Sequence, residues 1–117
     1  MKELVTTTAS LTTAVKNVYD ISSNLIVIRK QHKLISAGQF RQLGVAISRV
    51  IEEERMVGMH SLMTKGRDLL IDSFKQAQDY ANTDFGDMLL ETIRDEARYF
   101  KGYWDDYDRF TKPGGFK

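Results

Sequence analysis

The chain has 117 residues, no cysteine and a net charge of +1, and these values already exclude several classes of protein. Without cysteine there is no disulfide, thiolate metal site or cysteine nucleophile, and the balanced charge argues against a dedicated nucleic-acid-binding protein. The longest strongly apolar stretch, residues 25–28, is far shorter than the roughly 20 residues that cross a bilayer. The first residues lack the apolar run of a secretion signal, so we expect a cytoplasmic protein that does not contact membranes.

Charge is distributed unevenly along the chain although it nearly cancels overall. Residues 1–50 carry seven Lys/Arg and two Asp/Glu, whereas residues 51–117 carry ten Lys/Arg and fourteen Asp/Glu. The net charges of +5 and −4 sum to the +1 of the whole chain. We interpret this pattern as two halves that fold against each other with offsetting surface charges.

Apolar residues at spacings of three, four or seven predict a first long helix. The residues of this stripe are Leu4, Leu11, Val15, Val18, Leu25 and Ile28. Threonines at positions 6, 7, 8, 12 and 13 are poor helix formers, so we expect the beginning of the helix to fray. The Ser-Ser-Asn sequence at residues 22–24 is compatible with either a bend or an unbroken helix.

A second helical region is expected to start after Ser36, which forms a capping-box pattern with Gln39. Its apolar residues are Phe40, Leu43, Ile47, Val50, Ile51 and Val57, followed by Leu69, Leu70, Phe74, Ala77 and Ala81. One unbroken helix over residues 37–82 would be roughly 69 Å long at 1.5 Å per residue. We therefore favour a break between Gly58 and Gly66; the alternative is a continuous rod that a partner chain covers.

The Asn-Thr-Asp sequence at residues 82–84 predicts the boundary before a final helix. Thr83 or Asp84 is suited to cap a helix that begins near Phe85 and ends before Pro113. Its apolar residues are Met88, Leu89, Ile93, Ala97, Phe100, Trp104 and Tyr107. The sequence thus predicts a single all-α domain in residues 1–112, an antiparallel bundle of three or four long helices that dimerisation completes if one seam stays open. Residues 113–117 are expected to form a flexible tail.

Six aromatic residues lie within residues 99–110, the most unusual stretch of the chain. Aromatic side chains are common anchors of protein interfaces, and acidic side chains steer the approach of a partner. We therefore predict a partner-binding surface formed by Tyr99, Tyr103, Trp104, Asp105, Asp106, Tyr107, Asp108 and Phe110. The alternative is that the rings close one end of the core.

The sequence offers no convincing metal site, so we expect neither a metal nor a cofactor. Asp105, Asp106 and Asp108 have suitable carboxylates, but neighbouring residues on a helix point about 100° apart. His32 and His60 are the two histidines of the chain, and neither has a carboxylate or a second histidine at a recognised ligand spacing.

Arg55 and His60 form an Arg-x-x-x-x-His sequence in a chain expected to be entirely helical. This spacing resembles the catalytic motif of HEPN ribonucleases, which are helical domains that cleave RNA without a metal. The resemblance implies that His60 is a general base and that Arg55 stabilises the phosphate in the transition state. It covers six residues, and Met56 occupies a position that is usually polar in that family. The alternative is that Arg55 pairs with Glu52 on a solvated acidic face formed by residues 52–54.

Arg29, Lys30 and Lys33, with Arg41 nearby in sequence, form a basic cluster that is a candidate for nucleic-acid binding. No glycine-rich loop or interleaved aromatic residue accompanies the cluster, and cations also favour the end of a helix for structural reasons. We therefore rank a non-enzymatic, regulatory protein-binding module first, of adaptor, inhibitor, antitoxin-like or immunity-like type. An RNA-directed protein ranks second, and a structural subunit of a homodimer or larger homo-oligomer is the third alternative.

Overall fold

The computed structural model describes the backbone of residues 2–57 and 64–111 and the side chains of residues 11–56 and 66–99. The described backbone forms four α-helices, which are α1 Lys2–Lys30, α2 Ala37–Val57, α3 Thr64–Asp79 and α4 Asp84–Thr111. They pack into an all-α bundle of 48 by 24 by 22 Å, which confirms the predicted fold class. The long dimension matches α1, whose 29 residues span roughly 44 Å at 1.5 Å per residue.

Successive helices of the bundle run antiparallel. The end of α1 meets the start of α4 through Arg29 and Asp87, and Gly44 on α2 lies beside the ring of Phe74 on α3. Helix α1 packs extensively against α2 and α4, α3 packs mainly against α4, and α2 and α3 contact each other far less. Residues 37–82 therefore contain two antiparallel helices and not one rod, which confirms the favoured prediction.

The core lies between all four helices and follows the predicted apolar stripes closely. Its buried apolar residues are Leu11, Ala14, Val15, Val18, Leu25, Ile26, Ile35, Phe40, Leu43, Ala46, Ile47, Val50, Leu70, Ala77, Leu89, Leu90, Ile93 and Ala97. Fully burying one such aliphatic side chain of the size of Val or Leu contributes about 1.5–3 kcal/mol, so this core accounts for the association of the helices.

Two apolar residues assigned to the core stripes by their spacing are exposed instead. Leu69 is 41% exposed and Met88 is 53% exposed, whereas Leu70 and Leu90 are each 1% exposed. Consecutive residues on a helix point about 100° apart, so three consecutive apolar residues such as 88–90 cannot all face one core. The sequence pattern identified the helices correctly but not which member of each apolar pair points inward.

The predicted capping box at the start of α2 is confirmed. The backbone N–H of Gln39 donates to Ser36 Oγ at 3.2 Å, and the N–H of Ser36 donates to Gln39 Oε1 at 2.8 Å. Helix α1 is unbroken through residues 22–24, where the Ser22 hydroxyl donates to the Val18 carbonyl at 2.7 Å. This bond satisfies the one polar atom of a side chain that is fully buried.

Candidate interaction surface on the final helix

Two hydrogen bonds between the two loops at one end of the bundle position the start of α4. The backbone N–H of Ile35 donates to Asn82 Oδ1 at 2.7 Å, and Asn82 Nδ2 donates to the Ile35 carbonyl at 3.1 Å. Asn82 has a φ of 65°, in the left-handed region that asparagine tolerates better than most residues. The loop before α4 is therefore tied to the loop between α1 and α2.

The first turn of α4 is capped by Thr83, one of the two predicted caps. The backbone N–H of Gly86 donates to Thr83 Oγ1 at 3.2 Å, and the Thr83 hydroxyl donates to the Tyr80 carbonyl at 2.6 Å. A Cβ atom added at Gly86 would collide with the same Tyr80 carbonyl, because the backbones approach so closely there. Helix α4 is thus set directly against the end of α3.

An ion pair joins α4 to α1 on its other side. Arg29 Nε donates to Asp87 Oδ1 at 2.7 Å, and Arg29 Nη1 donates to the Lys33 carbonyl at 3.1 Å. The hydrogen bond to Asp87 raises the pKa of Arg29 above its ordinary value. These contacts fix the rotational orientation of α4 about its own axis. This orientation decides which of its residues face outward.

The buried side of α4 is entirely apolar among its described side chains. Leu89, Leu90, Ile93 and Ala97 are between 0% and 8% exposed, and Gly86 is also buried. The opposite side carries Phe85, Met88, Thr92, Asp95 and Tyr99, which recur at spacings of three, four, three and four residues. We call these five residues the α4 outer face.

The α4 outer face exposes large apolar side chains to solvent. Phe85 is 41%, Met88 53% and Tyr99 67% exposed. The ring of Tyr80 meets that of Phe85 edge-on at a centroid distance of 5.0 Å, which extends the surface to the end of α3. Alternating spacings of three and four are those of a coiled-coil seam, in which such residues pack against another helix.

The two polar residues of the α4 outer face are satisfied within the helix. The Thr92 hydroxyl donates to the Met88 carbonyl at 3.2 Å. Asp95 accepts from Arg94 at 3.0 Å and lies 3.6 Å from Arg98, so two cations offset its charge. Covering this face would therefore leave neither an unpaired hydroxyl nor an isolated carboxylate behind.

The exposed side of α2 differs from the α4 outer face. Val45 is 64% exposed, but it lies among Arg41, Ser48 and Glu52 beside a shallow groove between α1 and α2. Helix α2 also exposes Met56, 11 residues further along, but apolar residues scattered singly among polar neighbours are normal on a protein surface, whereas a row of them indicates a binding surface. The α4 outer face is therefore the better candidate for a binding surface.

Of the predicted partner-binding residues, Tyr99 lies on the α4 outer face. The side chains of the other seven, Tyr103, Trp104, Asp105, Asp106, Tyr107, Asp108 and Phe110, lie outside the described residues. Their backbone continues α4 to Thr111, so they belong to the same helix as the exposed row. The predicted end of this helix before Pro113 lies outside the described residues.

Half of the pair that resembles the HEPN motif lies within the described side chains. Arg55 is exposed in the last turn of α2, whereas His60 lies outside the described residues. The assignment of both residues to catalysis therefore stays a prediction.

The interpretation of residues 52–54 as a solvated acidic face is wrong. Glu52 is exposed, but Glu53 is 8% and Glu54 1% exposed. Three consecutive helical residues turn through about 200°, so they cannot share one face. The described residues show no ion pair between Arg55 and Glu52; on the same helix, Arg49 Nε lies 3.5 Å from Glu53 Oε1.

Glu54 is the one buried carboxylate that faces a cation on α3 among the described side chains. Arg67 Nη1 lies 3.6 Å from Glu54 Oε1, and this oxygen accepts no hydrogen bond from the described residues. Burial raises the pKa of Glu54, and Arg67 partly offsets that shift. This burial was not predictable from the spacing of residues, because a carboxylate on a helix is normally solvated.

The structure separates the members of the basic cluster. Arg29 is 15% exposed and is held by Asp87, and it shares a small cavity with Lys30, Asp84 and other acidic residues of α4. Arg41 instead lines the grooves beside α2. A phosphate at Arg29 would have to compete with carboxylates that already neutralise it.

Neither a metal site nor a membrane-spanning helix emerges from the part of the chain that the structure describes. No three His, Asp or Glu side chains there come together as metal ligands, and no helix is both long and apolar enough to cross a bilayer.

Comparison with known proteins adds no relative. No protein-family model matches the chain, and no significant match is found to a curated protein or to a solved structure. Function is therefore inferred from the geometry of this molecule alone.

Proposed function

We propose that the protein is a non-enzymatic protein-binding module, of adaptor, inhibitor, antitoxin-like or immunity-like type, that binds through α4. The observation that carries this proposal is the α4 outer face. It presents Phe85, Met88 and Tyr99 at coiled-coil spacing on a helix whose opposite side is fully packed. Each of these side chains is at least 41% exposed, so a partner would remove substantial apolar area from water.

The local framework supports a surface formed before binding. Thr83, Asn82 and the Arg29–Asp87 ion pair fix the start and rotation of α4. A partner then orders few additional groups when it binds, which lowers the entropic cost of association. The aromatic residues of the 103–110 segment lie further along the same helix and are proposed as a continuation of this surface.

The charge of α4 indicates the chemistry of the surface that it binds. The helix carries eight acidic and four basic residues, for a net charge of −4. We expect the partner to present an apolar patch and basic groups opposite acidic residues of α4, because charges of opposite sign steer association and exclude competing partners.

The test compares two methionines of similar exposure on different helices. Met88 on α4 is 53% exposed and Met56 on α2 is 64% exposed. The wild-type chain and the Met88→Lys and Met56→Lys variants are each used as tagged bait in lysate of the native host. We expect Met88→Lys to lose the proteins that the wild-type bait captures in stoichiometric amount, and Met56→Lys to retain them.

Circular dichroism of both variants serves as the folding control, since exposed substitutions change stability by no more than about 0.5 kcal/mol in most cases. Equal capture by all three baits would refute the α4 outer face as the binding surface. Capture of RNA by the wild-type bait that Arg55→Ala or His60→Ala abolishes would support the RNA-directed alternative in its place.

A further inference from the structure

Six of the charged residues of α4 form a self-complementary row beside the α4 outer face. Asp84, Asp87 and Glu91 are followed by Arg94, Arg98 and Lys101, at spacings of three, four, three, four and three residues. All three acidic residues precede the midpoint between residues 92 and 93, and all three basic residues follow it. Each acidic residue lies as far before this midpoint as one basic residue lies after it.

We infer that a second copy of this chain occupies the α4 outer face, packed antiparallel through α4 about a two-fold axis near Thr92. The inference rests on the proposed function and names the partner of its binding surface. In an antiparallel pair of helices, a row that flanks the seam meets the same row of the other helix in reverse order. The acidic half of one copy then lies opposite the basic half of the other.

The register follows from the numbering. An axis at the midpoint places Asp84 opposite Lys101 of the second copy, Asp87 opposite Arg98, and Glu91 opposite Arg94. Every one of these three pairings joins opposite charges, and the two-fold axis repeats each of them. In a parallel pair the two-fold axis runs along the seam and places the two copies of this row on opposite sides of it, so the acidic and basic residues of the row would not meet.

The apolar row supports the same axis. Phe85 and Tyr99 lie seven residues before and after Thr92, so an axis at Thr92 places each of these rings across from the other ring of the second copy. Aromatic pairs of this kind stabilise an interface beyond the area that they bury. The centres of the apolar row and the charged row differ by half a residue, so one axis accommodates both.

The side chains of five of these six charged residues are described, and each keeps exposed surface in the single chain; that of Arg94, which also pairs with Asp95, is 27% exposed. The side chain of Arg98 is 67% exposed, Glu91 and Asp84 are exposed, and Asp87 keeps 31% of its surface while Arg29 holds it. Because Asp87 is already fixed, its pairing costs little additional side-chain entropy. Two of the five seam positions are polar, so we expect a weak dimer with a Kd on the order of 10 μM.

Charge reversal tests the register in the full chain by sedimentation equilibrium from about 1 to 300 μM, a range that brackets the expected Kd. Glu91→Arg and Arg94→Glu should each raise the dimer Kd at least about tenfold, because four like charges then gather at the axis. The double variant Glu91→Arg/Arg94→Glu restores opposite charges and should return the Kd to within about threefold of the wild type. Asp68→Arg, at an exposed position on α3, is the matched control and should have no effect.

Cysteine cross-linking tests the direction of the helices, and the chain has no native cysteine to interfere. Only a residue near the axis of an antiparallel pair meets its own counterpart, so Thr92→Cys should form a disulfide-linked dimer under mild oxidation and Met88→Cys should not. Comparable cross-linking of both variants would indicate a parallel pair and overturn the inference.

A monomer at every concentration, or single charge variants that dimerise like the wild type, would also overturn it. If a monomeric chain still loses a host protein on Met88→Lys, the proposed function survives and the inference about the second copy fails. If all baits capture the same host proteins, including the untagged native chain, the proposed function and the inference fail together.

Discussion

Helices α2 and α4 both depart from the expected division between apolar core and polar surface, but in opposite directions. Helix α2 buries Glu53 and Glu54, whereas α4 exposes Phe85, Met88 and Tyr99. The buried carboxylates of α2 lie near cations of the same chain, Arg49 and Arg67. The exposed apolar row of α4 keeps at least 41% of each of these side chains open to solvent, although the Phe85 ring contacts that of Tyr80.

We interpret the departure of α2 as part of folding and that of α4 as the proposed binding surface. A buried charge is expensive and persists only where a partner group offsets it, so the α2 carboxylates belong to the internal packing of α2 and α3. A row of exposed apolar residues on a helix with a well-packed opposite side gains free energy only when another molecule covers it. Variants of the two helices should therefore separate stability from association.

The largest difference in stability is expected between a substitution on the buried side of α4 and one on its exposed side. Ile93→Ala removes part of a side chain that is 0% exposed and should lower the free energy of unfolding by about 2–5 kcal/mol. Met88→Ala should change it by less than about 0.5 kcal/mol, because Met88 is 53% exposed. Urea unfolding followed by circular dichroism, at a concentration where the chain is monomeric, measures both. Similar losses would mean that Met88 belongs to the core.

A smaller loss of stability is expected from substitutions of two glycines, Gly86 on α4 and Gly44 on α2, that lie close to α3 or to its end. Gly86→Ala places a Cβ atom against the Tyr80 carbonyl, which is backbone and cannot move aside, so we expect a loss of about 1–3 kcal/mol. Gly44→Ala places a Cβ atom 2.8 Å from the edge of the Phe74 ring, which is a partly exposed side chain that can shift. Gly44→Ala should therefore lower the free energy of unfolding by less than Gly86→Ala does in the same assay. The reverse order would show that α3 is held more tightly by α2 than by α4.

The smallest stability effect concerns the buried carboxylate of α2 and depends on pH. Burial raises the pKa of Glu54 above its ordinary value of 4.5, so the folded chain binds a proton that the unfolded chain releases. The stability from this group is complete below pH 4.5 and is lost as the pH rises through the folded pKa. Glu54→Gln should remove this loss and raise the free energy of unfolding at pH 7 by about 1 kcal/mol.

The control for the pH prediction is Glu52→Gln, which changes an exposed carboxylate on the same helix. Thermal unfolding at pH 4 and pH 7 gives the comparison. Glu54→Gln should flatten the dependence of the melting temperature on pH, and Glu52→Gln should leave it as in the wild type. A melting temperature that falls in Glu54→Gln at pH 7 would show that the attraction between Glu54 and Arg67 outweighs the cost of burial.

The sequence predicted the helices better than it predicted their orientation. Apolar periodicity, the capping residues Ser36 and Thr83, and the length argument against one rod in residues 37–82 were sufficient for the bundle, because they depend on local chemistry. Whether Met88 or Leu90 faces inward depends on the rotation of α4, which the contacts of Arg29 and Gly86 fix from other helices. Such contacts join residues far apart in sequence, and no spacing rule reveals them.

The candidate surface was predicted only in part, because its position depends on which side of α4 is exposed. Aromatic density in residues 99–110 pointed to α4 as the binding helix, and Tyr99 lies on the α4 outer face. Phe85 and Met88 were missed because a sequence window sees one apolar row and assigns it to the core. The palindromic charges of residues 84–101 were present in the sequence, but they acquire meaning only once the exposed side of the helix is known.

The most direct test of the central claim is methyl NMR of the chain with ¹³C-labelled methionine, recorded over a dilution series. Met88 and Met56 provide two exposed probes, one on each of the compared helices, and Met88→Ala and Met56→Ala assign their signals. We predict that the Met88 methyl shifts with concentration along the same binding curve as sedimentation and that the Met56 methyl does not. A Met88 signal that is unchanged while Met56 shifts, or while sedimentation reports a dimer, would contradict the assignment of the interface to α4.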